Sequence, residues 1–218
     1  DPAGLTPLEG LKKLFEQKQD LAALAETLER LASASVGEAA AAALIQAADI
    51  HEGKLFRRDR AILCLQRASQ AAPNERSHHR RLRALALAEF RFTAAFDALE
   101  RERAALGGEG LLDEYVALAE RLKDDPTEHA LARRVIEVAR ELSSDDARLE
   151  RLEGELDRFP ETWRERARTL NGLLVDERDR KSAARMSLLV AKLHAWFDVA
   201  EGEAKVREAL DRCLLLWP

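Results

Sequence analysis

The residues able to do chemistry on this chain are few and scattered. Its 218 residues include 5 histidines and 2 cysteines. His51-Glu52 opens like the zinc motif of metalloproteases, in which a second histidine follows one helical turn later on the same face. Leu55 stands at that position, so that site cannot form. His78 and His79 are adjacent, and neighbouring side chains on a helix point in different directions, which makes a poor chelate. His129 and His194 each stand alone and read as solvated or hydrogen-bonded helix residues. Cys64 and Cys213 lie far apart and neither belongs to a CxxC pair, so both read as small buried apolar residues. Gly107-Gly108-Glu109-Gly110 lacks the Lys-Ser/Thr that completes a phosphate loop, and no GxSxG elbow occurs. Among 40 acidic residues, carboxylate pairs are expected on solvated faces. No catalytic residue, cofactor site or metal site is assigned, and the chain is not read as an enzyme.

One cluster departs from the average. Arg76, His78, His79, Arg80, Arg81 and Arg83 crowd a short stretch. At helical spacing Arg76, Arg80 and Arg83, with His79 beside them, fall on one face. A guanidinium grips a carboxylate through two parallel hydrogen bonds, so this face suits an acidic ligand. The competing reading is a charged outer face paired with neighbouring glutamates. A second basic set, Arg57, Arg58 and Arg60, is expected on a rim in the long turn before it. The net charge is −5 and the pI near 5.7. That balance argues against nucleic acid, whose phosphates demand clustered cations.

The elements that carry these residues are helices. Hydrophobic residues make up 46% of the chain, and Ala and Leu, both strong helix formers, dominate that share. Residues favoured in strands are sparse. The fold class is therefore all-α. Pro2, Pro73 and Pro218 lie 71 and 145 residues apart, two and four steps of about 36, a period typical of helical-hairpin repeats. Stepping by that period lands on turn-forming residues each time: Ser35-Val36-Gly37, Gly107 to Gly110, Ser143 to Asp146, and Asp179 to Ser182. The repeats so defined are residues 3–36, 37–73, 74–108, 109–144, 145–181 and 182–218. Each is predicted to split once, at Lys18-Gln19-Asp20, Gly53-Lys54, Arg91-Phe92-Thr93, Asp124-Asp125-Pro126, Phe159-Pro160 and Gly202, giving about twelve helices. Thr6-Pro7-Leu8-Glu9 and Asp125-Pro126-Thr127-Glu128 have the chemistry of helix starts, a capping side chain followed by proline. Leu21, Leu24, Leu28 and Leu31 make one apolar stripe, and Leu131, Val135, Val138 and Leu142 another.

Second helices of these repeats resemble those of the tetratricopeptide family. That family places a small residue, a large apolar one, a second small one and then proline along the helix. Ala61, Leu65, Ala68 and Pro73 match in full. Ala132, Ile136 and Ala139 match with Ser144 in place of proline, and Val206, Leu210, Cys213 and Pro218 form a looser version. Leu24, Leu28, Leu31 and Val36 enlarge the small positions, and the third repeat fits only at Ala95 and Leu99. The fifth repeat departs, with Asn171-Gly172 interrupting its second helix. The resemblance implies a right-handed α-solenoid of about six antiparallel hairpins, a single array over residues 1–218.

It further implies a protein-binding scaffold. First helices of such arrays line the concave surface, so Arg76, His79, Arg80 and Arg83 would face a groove and receive an acidic peptide or a terminal carboxylate. The alternatives are an RNA-binding helical-repeat protein, or the docking or sensor region of a larger regulator or enzyme. No apolar run approaches the ~18 residues of a membrane span, so no membrane insertion is expected, and the default setting is cytoplasmic. The ends, Asp1-Pro2 and Trp217-Pro218, read as those of a piece cut from a longer protein.

Overall fold

A computed structural model describes residues 2–198 and 202–216, with side chains from residue 6 onward. Among the described residues every regular element is helical and no strand occurs. The chain forms two compact units, Asp1–Leu111 and Leu112–Pro218.

The first unit holds α1 (Pro2–Lys18), α2 (Leu21–Ala34), α3 (Gly37–Gly53), α4 (Arg58–Ala71), α5 (Arg76–Ala88) and α6 (Phe92–Leu106). Each helix packs mainly on its neighbours in sequence, and α4 also touches α6. The alanines of α3 explain why it can sit between two partners. Ala40, Ala41, Ala47 and Ala48 are all buried, and side chains this small allow close approach on both flanks. From α2 the stripe Leu24, Leu28 and Leu31 enters the same core, and from α4 Ala61, Leu65 and Ala68 do so.

The hairpins turn by a shared backbone device. Gln19, Phe56 and Phe90, which follow α1, α3 and α5, adopt left-handed conformations with φ of 54°, 53° and 57°. The next N–H then donates back into the finished helix: Asp20 to the Phe15 carbonyl at 3.1 Å, Arg57 to His51 at 2.7 Å and Arg91 to Ala86 at 2.8 Å. Such bonds satisfy carbonyls that a helix end leaves unpaired. These three residues lie 37 and 34 positions apart, so a period near the one expected recurs in the backbone of this unit.

The second unit holds α7 (Leu112–Leu122), a 3-10 turn (Pro126–Glu128), α8 (His129–Leu142), α9 (Ala147–Asp176), α10 (Arg180–Phe197) and α11 (Glu203–Leu216). Asp146 and Asp179 cap α9 and α10, accepting from Arg148 N at 2.9 Å and Ser182 N at 2.7 Å. Asp125 caps the 3-10 turn by accepting from Thr127 N at 3.1 Å, as its Asp-Pro-Thr-Glu pattern predicts. Ala132, Ile136 and Ala139 are buried in α8.

Three expectations are corrected. The break at Phe159-Pro160 does not occur, and neither does the interruption at Asn171-Gly172. Instead α9 runs unbroken for 30 residues with Pro160 inside it, so the described residues form eleven α-helices rather than twelve. Leu149, Leu152, Leu156, Phe159, Trp163, Ala167 and Leu170 form one continuous buried stripe, while Pro160, Asn171 and Gly172 all face solvent. An interior proline costs about 3 kcal/mol, and burying each large apolar side chain returns about 1.5–3 kcal/mol, so the stripe prevails. Second, Thr6-Pro7 does not begin α1, which already starts at Pro2 and carries Pro7 within it. Pro7 is exposed, so its ring displaces no packed neighbour. Third, in α11 the expected core position Leu210 is 40% exposed and Ala209 is buried instead, because that face meets α10.

Two stability measurements follow from these backbones. Gln19→Gly, at an exposed left-handed position, should raise the free energy of unfolding by about 1 kcal/mol in urea titration, since only glycine takes this conformation without strain. Pro160→Ala should stabilise the second unit by about 1–3 kcal/mol by restoring a backbone donor; an unchanged midpoint would mean that the helix breaks there after all.

Candidate functional site

The basic stripe of α5 faces several ways at once. His79 is fully buried, and its Nε2 lies 2.8 Å from the Pro73 carbonyl, to which it donates. Arg83 is buried too, and its Nη1 donates to Glu102 Oε2 on α6 at 2.8 Å. Glu102 itself is 0% exposed. Arg76 Nε lies 3.2 Å from the other Glu102 oxygen, close enough for attraction though not aligned as a hydrogen bond. Arg80 is exposed. The four residues named for partner binding thus share one helix, but only Arg80 and the outer part of Arg76 reach solvent. The second basic set does not lie in a turn: Arg58 and Arg60 stand in the first turn of α4, just after Arg57. Arg58 pairs with Glu89 at 2.7 Å, while Arg57 and Arg60 are exposed.

Histidine placement follows a recurring pattern. His129 Nε2 donates to the Lys123 carbonyl at 2.9 Å, across six positions, as His79 does to Pro73. Each ties the first part of a helix to the loop before it. Phe159 meets the His129 ring edge-on at 4.6 Å between centroids. His194 packs edge-on against Trp163 at 5.3 Å and lies 3.4 Å from Asp198. His51 stands apart from these: its Nε2 lies 2.9 Å from Glu29 Oε1, and Cys64 completes a close group with both. Burial, followed by the nearby Glu29 carboxylate, pushes the Cys64 thiol up to about 12, so it remains protonated.

A concavity lies within the second unit, between α9, α10 and α11. It is a groove of about 710 Å³. Trp163, Ala167, Val190 and Ala209, all buried, make its apolar floor. Arg164, Arg168, Lys205 and Arg212 stand around it, with Glu208 the acidic residue among them. The Arg164 guanidinium lies 4.8 Å from the Trp163 ring centre, where the ring's electron-rich face attracts a cation. Trp163 in turn stacks on Phe197, with centroids 5.7 Å apart and planes 16° from parallel. Arg212 is steadied by Asn171 at 3.1 Å and Glu208 at 3.0 Å. An apolar floor with a cationic rim is chemically suited to a segment that carries both apolar and acidic side chains.

A buried carboxylate holds the groove's middle wall in place. Asp125, only 1% exposed, accepts from Lys192 Nζ at 2.7 Å and from Arg185 Nη2 at 3.3 Å, both on α10. Burial alone pushes its carboxyl up, but the Lys192 and Thr127 hydrogen bonds outweigh that and hold it below the ordinary value. Sequence reasoning found Asp125 as a cap and missed its second task, because Lys192 is 67 residues away. It missed the groove because a break at Pro160 divides Trp163 from the earlier half of its own helix. The signal that would have found it is the unbroken spacing from Leu149 to Leu170.

Burial holds the His129 pKa below its ordinary 6.5, against the opposing pull of its bond to Lys123, while Arg133, Asp125 and Asp124 act on it through space. The folded state therefore favours the neutral ring, and protons bind the unfolded chain more readily. This contribution is complete above pH 6.5 and is lost as pH falls through the lower folded value. Thermal melts of wild type and His129→Gln should diverge least at acid pH and most above 6.5, wild type being the more stable; parallel curves would reject the assignment. No protein-family model matches the chain, and no curated protein matches it.

Proposed function

We propose that this chain is a divergent tetratricopeptide-like scaffold, a right-handed α-solenoid that holds an acidic, amphipathic segment of another protein. The observation that carries this reading is the groove between α9, α10 and α11, with Trp163 at its floor and Arg164, Arg168, Lys205 and Arg212 at its rim. Packing of helices on their sequence neighbours supports the repeat architecture. So do the burial of Ala61, Leu65, Ala68, Ala132, Ile136 and Ala139 and the spacing of the left-handed turns. Helical-repeat proteins present extended surfaces of this kind to peptides. On this reading the partner's carboxylates meet the rim, its apolar side chains cover Trp163, and Arg80 on the first unit is a separate cationic point of contact.

The test uses a fluorescent synthetic peptide with Leu and Phe at helical spacing and Glu elsewhere. Anisotropy should show binding that weakens with added salt, because rim charges are screened. Arg164→Glu combined with Arg168→Glu should weaken it by roughly tenfold or more, about 1.4 kcal/mol, whereas Arg60→Glu should leave it unchanged. Equal binding by the double variant, or retention of mixed RNA in preference to the peptide at low salt, would overturn the proposal.

A further inference from the structure

Three helices of the first unit bring together a carboxylate, an imidazole and a thiol. Glu29 comes from α2, His51 from the last turn of α3 and Cys64 from α4. One donor atom from each lies within 4.8 Å of the other two. His51 and Cys64 are each 2% exposed, while the Glu29 side chain is 18% exposed. His51 Nδ1 has no hydrogen-bond partner, so the ring's one hydrogen bond is to Glu29.

We propose that Glu29, His51 and Cys64 form a binding site for a divalent transition-metal ion of zinc type. The donor set is an oxygen, a nitrogen and a sulfur, a mixture that suits zinc. In a tetrahedral zinc site such donors sit ~3.3–3.6 Å apart, from bond lengths near 2.0–2.3 Å. The present spread of up to 4.8 Å must contract to that on binding. Charge also balances, since a thiolate and a carboxylate together neutralise a dication. Binding releases one proton, from the Cys64 thiol, and the Cys64 sulfur then bonds the metal. The partly exposed Glu29 marks the entry side, where a water can take the fourth position. Arg67 lies 3.9 Å from the second Glu29 oxygen, on the partly exposed side of the group.

The placement has a logic in the repeat. Glu29 and Cys64 stand on successive second helices, α2 and α4, 35 residues apart. His51 is delivered between them by the intervening first helix. A bound ion would staple α2, α3 and α4 together.

Cobalt is the probe, since its thiolate complexes absorb in the near ultraviolet and its tetrahedral sites absorb strongly in the visible. Metal-free chain titrated with Co²⁺ should develop both bands at one equivalent, and Zn²⁺ should displace them. Cys64→Ser should abolish the thiolate band, and Glu29→Gln and His51→Gln should each weaken Co²⁺ binding tenfold or more. Zn²⁺ should raise the melting temperature of wild type by several degrees and that of Cys64→Ser by none. A thiolate band that survives Cys64→Ser, the absence of any band, or unchanged affinity in Glu29→Gln and His51→Gln overturns the site. Should Cys64→Ser not fold, the glutamine variants decide the matter alone.

Discussion

Close approach between consecutive helices is the constraint on which the rest of this structure rests. Alanine makes it possible. Ala47 and Ala48 on α3, Ala61 and Ala68 on α4, and Ala132 and Ala139 on α8 are all fully buried, and a larger residue at any of them would push a neighbour outward or off its rotamer. Close approach in turn dictates what happens between the helices. Polar groups caught there must find partners within a few ångströms, since an unpaired buried group costs free energy on the scale of a hydrogen bond. Arg83 with Glu102, His79 with the Pro73 carbonyl, and Asp125 with Lys192 are all answers to that demand.

The turns reinforce the same constraint. A left-handed residue at 19, 56 or 90 redirects the chain within a few positions, so the following helix has no choice but to fold back on its predecessor. Non-glycine residues are strained there. That they hold the conformation at all shows how firmly the helices on either side are pinned.

How much of this could be read from the sequence depended on distance along the chain. Helix ends were readable at Gln19-Asp20, Ser35-Val36, Gly107 and Asp179, which all lie at or beside observed ends. Pro160 is the instructive failure. A breaker on the solvent side of a strongly apolar stripe is overruled by burial, and only the phase of Leu156, Phe159 and Trp163 reveals this. The basic stripe of α5 failed in another way. Helical spacing put Arg76, His79, Arg80 and Arg83 on one side of a helix, whereas His79 and Arg83 are buried and Arg80 is exposed. Nor could spacing reveal Glu102, 19 residues from Arg83. The group Glu29, His51 and Cys64 was invisible because its members share no helix.

The pairing of Arg83 with Glu102 also bears on how this chain can drift. Removing either partner alone takes a counter-charge away from a buried ion, which is more damaging than replacing both by well-fitting apolar residues. A neutral or even favourable double replacement is therefore separated from the present state by a valley that single steps must cross. The ion pair thus binds the fates of α5 and α6 together, whether or not it is the most stable way to fill that space.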